Sequence, residues 1–196
     1  MRNLMKLWRF KKIMLFWQNI YKECSAKCKQ QQFSLFYFYR MKNKVLIFIL
    51  SLLACYAAAF IGSFATIDSI TGWYTTIVKP SFNPPNWIFG PVWSLLYTLM
   101  GICFYLINIS ENPSKDFVRK LFIVQLILNA FWSILFFNFH ALGFAIVDIL
   151  LLLFVLILIA IKGKEISIWC SILFIPYILW VSFATILNIS IWWLNA

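Results

Sequence analysis

The stretch that decides the fold runs from Leu142 to Ile161 and reads LGFAIVDILLLLFVLILIAI. It contains one ionisable side chain, Asp148, and every face of the helix that it would form is apolar. A helix of about 20 apolar residues is long enough to cross the hydrocarbon core of a bilayer. The stretch therefore predicts a membrane-spanning helix, because a helix on the surface of a soluble protein would carry a polar face.

Four further stretches have the same character, so we predict an all-α membrane protein with a bundle of five transmembrane helices. The helices are expected at about 45–67, 91–109, 119–139, 142–161 and 166–193. Apolar residues make up 63% of the chain and charged residues 12%, which excludes an ordinary soluble domain and a disordered chain.

The net charge of +11 is concentrated at the N-terminus. Residues 1–44 hold eleven of the seventeen Lys and Arg residues and one of the six acidic residues, which leaves six cations and five acids for 45–196. The basicity therefore predicts no nucleic-acid partner. Cations near helix ends indicate the cytoplasmic side. With the N-terminus in the cytoplasm, the outer segments carry only Lys79, and the inner segments carry Lys42, Lys44, Lys115, Arg119, Lys120, Lys162 and Lys164.

Residues 1–40 form a basic, aromatic extension ahead of the domain predicted at 41–196. Three interpretations stay open. The extension is an amphipathic helix lying on the membrane surface, a segment similar to a transit peptide, or a stretch upstream of a translation start at Met41.

The segment 68–90 is predicted to be an outer loop, and four of the six prolines lie in or next to it. Proline fixes φ, so the loop is expected to be pre-shaped. We favour a lid over a cavity between the helices, since a plain connector needs neither this length nor these aromatic residues. The alternative is a rigid connector.

Aromatic and polar residues at helical spacing predict a cavity inside the bundle. Trp93 and Tyr97 are four residues apart, as are Gln125 and Asn129, and Trp132 follows three residues later. Trp180, Phe183 and Ala184 share a face of the last helix. Aromatic walls with a few polar points suit a flat, hydrophobic ligand.

Two further features leave alternatives open. Asp148 is costly in lipid, so it must face the bundle, where it either fixes packing or binds a polar group of a ligand. Ala54, Ala58 and Gly62 permit close helix contact, either inside the bundle or at a dimer seam.

Scattered cysteines and the single His140 predict no metal site.

These motifs together resemble the TspO/MBR family of tryptophan-rich sensory and translocator proteins. The matching strings are Trp73-Tyr74, KPSFNPPNW at 79–87, FGPVW at 89–93, QLILNAFW at 125–132, Asp148 and PYILWVSFATILN at 176–188. The resemblance covers about 41–196.

The resemblance implies a five-helix bundle in the bacterial cell membrane, often homodimeric, that binds porphyrins such as protoporphyrin IX without a required cofactor. It also implies light-dependent porphyrin degradation, with Trp93 and Trp180 as the oxidised groups. The alternatives are a transporter of porphyrin or other lipophilic molecules and a regulatory scaffold. Membrane lipid and a hydrophobic small molecule are the other expected partners. The expected ligand-binding residues are Trp73, Tyr74, Pro84, Pro85, Trp93, Tyr97, Gln125, Asn129, Trp132, Asp148, Trp180, Phe183 and Ala184.

Overall fold

A computed structural model describes residues 43–64 and 66–196. The chain divides into a unit of residues 1–45 and a unit of residues 46–196, and the fold described below is that of the second unit. The predicted extension at 1–40, with its three interpretations, lies outside the described residues.

Within the described residues, the fold is entirely helical, and five helices are long and apolar enough to cross a membrane. This confirms the predicted fold class. In chain order the elements are α1 Asn43–Phe64, α2 Trp73–Thr76, α3 Asn86–Ile109, α4 Lys115–Ser133, α5 Leu142–Ile166 and α6 Ile168–Asn195. Helical backbone also covers 66–71, and α2 is a single turn in the connection between α1 and α3.

Several predicted helix boundaries were wrong. The third long segment, α4, begins at Lys115 rather than 119, and α3 begins at Asn86 rather than 91. Pro85 is the N-cap of α3, and Pro91 lies more than one turn inside the helix. A proline there removes one backbone hydrogen bond, which membrane-spanning helices tolerate because neighbouring groups satisfy the freed carbonyl. With the helical residues at 66–71 and α2, the irregular part of the predicted loop 68–90 shrinks to 77–85.

The helix α5 ends at Ile166 and not at 161, because its polar end is stabilised locally. Lys162 pairs with Glu165 at 2.9 Å, and the hydroxyl of Ser114 donates to the same carboxylate at 2.7 Å. Helix α6 then starts at Ile168, where the Ser167 side chain accepts a hydrogen bond from the Trp169 backbone N–H.

A π-helical turn, Ile134–Asn138, continues α4 and is the one departure from α geometry among the long helices of the described region. The wider turn inserts an extra residue, and such turns occur mostly at functional sites. The Ser69 hydroxyl donates to the Phe137 carbonyl at 2.6 Å, which ties the loop after α1 to this turn.

The core lies between α3, α4, α5 and α6, where large side chains are fully buried, including Leu96, Phe122, Leu156 and Phe174. Helix α1 approaches α3 closely at Gly101, where an added Cβ would lie 2.5 Å from Leu52 Cδ2. Gly62 is the last of the three small residues on α1, after Ala54 and Ala58. A Cβ added at Gly62 would lie 3.2 Å from the Ser133 side chain of α4. The Gly62 end of this set therefore packs inside the bundle.

Candidate functional site

A cavity of about 90 Å³ lies where the α1–α3 connection meets α4 and α6. Its wall is predominantly apolar and aromatic. The lining residues are Thr66, Ile70, Tyr74, Asn86, Phe89, Trp93, Trp132, Phe136, Phe137, Trp180, Ala184, Leu187 and Asn188. Three tryptophans from three different helices therefore converge on one space.

Aromatic contacts hold these walls in place. The Phe89 and Trp180 rings meet edge to face with centroids 5.9 Å apart, and the Trp132 and Phe136 rings stack at 5.1 Å. Trp93 lies 5.6 Å from the Tyr97 ring. Such pairs stabilise a fixed arrangement beyond what buried area alone contributes. Phe136 and Phe137 of the π-helical turn both line the cavity.

The cavity roof is the connection from 66 to 85, and Tyr74 is its central residue. Tyr74 is buried, and its hydroxyl donates to Asn83 Oδ1 at 2.7 Å. The ammonium of Lys79 lies 4.8 Å from the Tyr74 ring centroid, a favourable cation–π distance. Burial raises the pKa of Tyr74 to about 12.

The roof is also fastened to the end of α6. The Val78 backbone N–H donates to Asn195 Oδ1 at 3.0 Å, and Asn195 Nδ2 donates to the Val78 carbonyl at 2.9 Å. The Phe82 ring lies 6.3 Å from Phe183 of the same helix. The connection is therefore held closed by specific contacts, as a lid would be.

A second, wider cavity of about 480 Å³ adjoins the first between α1, α3 and α4. The two cavities share Thr66, Ile70, Phe89 and Trp93 as lining residues. The second cavity reaches Phe60, which is 64% exposed, so it opens on the flank of the bundle. These four shared residues, Trp93 and Phe89 among them, therefore lie between an inner cavity and a lateral groove.

A buried polar cluster lies beneath the aromatic walls. The Tyr97 hydroxyl donates to Asn129 Oδ1 at 2.5 Å, and Asn129 Nδ2 donates to the Tyr177 hydroxyl at 2.6 Å. All three residues are buried. The amide of Asn129 thus joins α3, α4 and α6 through hydrogen bonds that water cannot reach.

The structure brings together only part of the predicted ligand-binding set. Tyr74, Trp93, Trp132, Trp180 and Ala184 line the inner cavity, and their role in binding stays a prediction. The predicted residues that line the lateral groove but not the inner cavity are Tyr97 and Asn129.

The remaining predicted residues lie outside the lining of both cavities. Pro84 and Pro85 precede α3, and Phe183 packs beside Trp180. The Trp73 ring stacks on His140 with centroids 4.1 Å apart. Gln125 and Asp148 are buried inside the bundle, where Asp148 Oδ2 and both polar atoms of Gln125 have no hydrogen-bond partner within the described part of the chain.

Several lining residues were missed by the sequence analysis. Phe136 follows Trp132 by four residues, and Asn188 follows Ala184 by four, so helical spacing was a usable signal for both. Phe89 was hidden because α3 was predicted to begin after it. Thr66 and Ile70 carried no signal, since they belong to helical turns in a stretch predicted as the end of a span and a loop.

No group of three metal-ligating side chains occurs among residues 43–64 and 66–196. His140 adopts a left-handed backbone conformation with φ of 53° at the reversal between α4 and α5. Its ring stacks on Trp73, so the structure gives it a packing role at the edge of the roof.

Comparison with known proteins gives consistent matches over this whole region. The family model described as "TspO/MBR family" matches residues 51–194. The "Tryptophan-rich protein TspO" of Archaeoglobus fulgidus is 43% identical over 154 residues, which cover 78% of this chain and 99% of the relative. The protein of the same name from Chlorobaculum tepidum is 38% identical, over 79% of this chain and 99% of the relative. The human "Translocator protein" is 35% identical, over 68% of this chain and 80% of the relative.

Proposed function

This chain belongs to the TspO/MBR family, and on that premise we propose that it is a multi-pass membrane receptor for porphyrins and similar flat hydrophobic molecules. The observation that carries the proposal is the inner cavity, where Trp93, Trp132 and Trp180 converge under a fastened roof. Indole rings offer wide stacking faces, which suit a flat conjugated ligand.

The cavity sizes define how such a ligand is accommodated. Small-molecule sites usually have volumes of roughly 300–1,000 Å³. The inner cavity of about 90 Å³ is too small alone, while the adjoining groove supplies about 480 Å³. Rotation of the Trp93 and Phe89 side chains would join the two spaces. The ligand would then lie with one edge against Trp180 and the other in the lateral groove.

The charge distribution supports the same placement. Lys79 lies in the roof, with its ammonium 3.3 Å from the Ile77 carbonyl. An anionic substituent of the ligand, such as a propionate, would meet this cation at the edge of the cavity. With the N-terminus in the cytoplasm of a bacterial cell, the roof faces outward, as the positive-inside rule predicts.

The test is an equilibrium titration of the full chain in nanodiscs with protoporphyrin IX, followed by the porphyrin absorption band. Binding should saturate at one porphyrin per chain. Trp180→Ala should raise Kd about tenfold or more, because stacking and buried area are both lost. Trp193→Ala is the matched control, since Trp193 is 77% exposed and lies outside both cavities. Equal loss in both variants, or no saturation, would contradict the proposal.

Light-dependent porphyrin degradation is a second candidate function, favoured by the placement of Trp93 and Trp180 in one cavity. In this reaction the porphyrin is oxidised and dioxygen is reduced. The indoles of Trp93 and Trp180 relay the electrons from the porphyrin to dioxygen. Illuminated complexes should lose the absorption band in air and keep it under argon. The double variant Trp93→Phe and Trp180→Phe should slow the loss. An unchanged rate would remove the enzymatic role and leave binding intact.

A further inference from the structure

One polar side chain of the inner cavity is buried without a hydrogen bond. Asn188 of α6 is 1% exposed and lines the cavity, yet neither its Oδ1 nor its Nδ2 has a hydrogen-bond partner within the described part of the chain. Leaving a buried amide unpaired costs free energy, because its bonds to water are lost and not replaced. Asn129, by comparison, uses both of its amide atoms to join Tyr97 and Tyr177.

A second residue that lines the same cavity, Trp132, also has a buried donor without a partner in the described residues. The indole Nε1 of Trp132 is buried and has no hydrogen-bond partner within 43–64 and 66–196. Among the residues that line the cavity, the buried polar atoms without a partner in the described residues are therefore one acceptor, Asn188 Oδ1, and two donors, Asn188 Nδ2 and Trp132 Nε1. The rest of the wall is predominantly aromatic and aliphatic.

We propose that Asn188 and Trp132 form a recognition point for a lactam edge, that is, for a ring N–H next to a ring carbonyl. The reason is geometric complementarity. A side-chain amide pairs with a cis amide through two parallel hydrogen bonds, in which Oδ1 accepts from the ligand N–H and Nδ2 donates to the ligand carbonyl. The second lone pair of that carbonyl accepts from Trp132 Nε1.

The same arrangement argues against a carboxylate at this point. A carboxylate is an acceptor only, so it would place negative charge against Asn188 Oδ1 and leave that oxygen without a donor. Ring lactams hold the N–H and the carbonyl on one edge, whereas open-chain amides are trans and separate them. The inference rests on the part of the proposed function that concerns flat hydrophobic molecules other than porphyrins, because a porphyrin has no ring N–H next to a ring carbonyl.

The test compares two probes that differ by one methyl group, quinolin-2(1H)-one and 1-methylquinolin-2(1H)-one. Binding to the full chain in nanodiscs is measured by calorimetry, with empty nanodiscs as the blank. The lactam should bind about tenfold tighter or more than its N-methyl derivative, since the methyl group removes a hydrogen bond and leaves Asn188 Oδ1 unpaired. A ratio below about twofold, or no saturable binding of the lactam, would overturn the proposal.

Two variants separate the roles of the two side chains. Asn188→Leu should reduce the preference for the lactam to within about twofold, whereas Trp132→Phe should weaken both probes and leave their ratio unchanged. The control is Asn108→Leu, because the Asn108 amide donates to the Phe104 carbonyl at 2.9 Å, outside both cavities. Retention of the full preference in Asn188→Leu would overturn the proposal, and so would its loss in the control.

A protoporphyrin IX titration on the same samples distinguishes this inference from the proposed function. Porphyrin binding without lactam preference would overturn the inference alone. Lactam preference without porphyrin binding would contradict the proposed porphyrin receptor alone. Asn188→Leu should fold, because it replaces unpaired polar atoms with an apolar side chain of similar size. If it does not fold, the wild-type ratio and Trp132→Phe still decide the proposal.

Discussion

At the scale of single residues, Asn129 shows how a polar side chain is accommodated inside a membrane protein. Both of its amide atoms are hydrogen-bonded to tyrosine hydroxyls, Tyr97 on α3 and Tyr177 on α6. Asn188 has the same chemistry and lies as deeply, but its amide has no partner in the described residues. The first residue holds helices together, whereas the second is the one that we propose binds a ligand.

Removal of the Asn129 amide should therefore destabilise the bundle. Asn129→Ala leaves the Tyr97 and Tyr177 hydroxyls without their buried partner, and we expect a loss of about 2–4 kcal/mol in the free energy of unfolding. Asn108→Ala should cost less than about 1 kcal/mol, because its one bond lies within a single helix. The measurement is reversible unfolding in mixed micelles. Equal losses for the two variants would contradict the role given to Asn129.

Tyr74 predicts how the roof responds to alkaline pH. Burial raises its pKa from 10 to about 12, so the folded roof favours the neutral phenol. This contribution to stability is fully present below pH 10 and is lost as the pH rises through about 12. The protection of the Val78 amide against hydrogen exchange should fall over this range. Tyr74→Phe should abolish that pH dependence, and a profile unchanged by the substitution would exclude Tyr74 as its source.

At the scale of helices, the spans were predictable and their ends were not. Twenty apolar residues must be helical in lipid, so the sequence was sufficient to place the five spans. The ends also depend on contacts between segments that are distant in sequence, such as the hydrogen bond from the Ser114 hydroxyl to the Glu165 carboxylate at the end of α5. The π-helical turn at Ile134–Asn138 had no sequence signal, because its residues ILFFN include no Gly or Pro that would mark a departure from α geometry.

Helix packing gives a sharp prediction at Gly101. A Cβ at this position would lie 2.5 Å from Leu52 Cδ2 and 3.1 Å from Leu52 Cα, so Gly101→Ala should push α1 from α3 and lower the unfolding midpoint. Gly90→Ala is the matched control, since a Cβ there meets nothing within 4 Å. Leu52→Ala should partly rescue Gly101→Ala by removing the nearer clash. Because alanine has the higher helix propensity, Gly90→Ala should keep or raise the midpoint. A midpoint that falls equally in both glycine variants would contradict the contact with α1 as the cause.

At the scale of the whole molecule, the residues that line the cavity could be predicted from the sequence only in part. Helical spacing correctly indicated that Trp93, Trp132 and Trp180 face the interior, and the structure places all three on one cavity. Spacing within one helix does not fix the rotation of that helix against its neighbours. Gln125 and Asp148 were therefore expected at the cavity, although they lie elsewhere in the interior.

Orientation in the membrane is a further property of the whole molecule that the charge pattern predicts. We expect the roof to face outward and the α5–α6 connection to face the cytoplasm. In intact cells, a membrane-impermeant thiol reagent should label Ser81→Cys, while Lys164→Cys should be labelled only after lysis. The three described native cysteines, Cys55, Cys103 and Cys170, are buried and should give a low background. The reverse labelling pattern would show that the topology is the opposite of the predicted one.

The central claim is that a flat ligand stacks on the tryptophans of the inner cavity. The most direct measurement is ¹⁹F NMR of the chain labelled with 5-fluorotryptophan, with resonances assigned by single Trp→Phe variants, before and after protoporphyrin IX is added. Ring currents of a stacked porphyrin should shift the signals of Trp93, Trp132 and Trp180, and the exposed Trp169 and Trp193 should stay in place. Shifts confined to Trp169 and Trp193 would contradict the account.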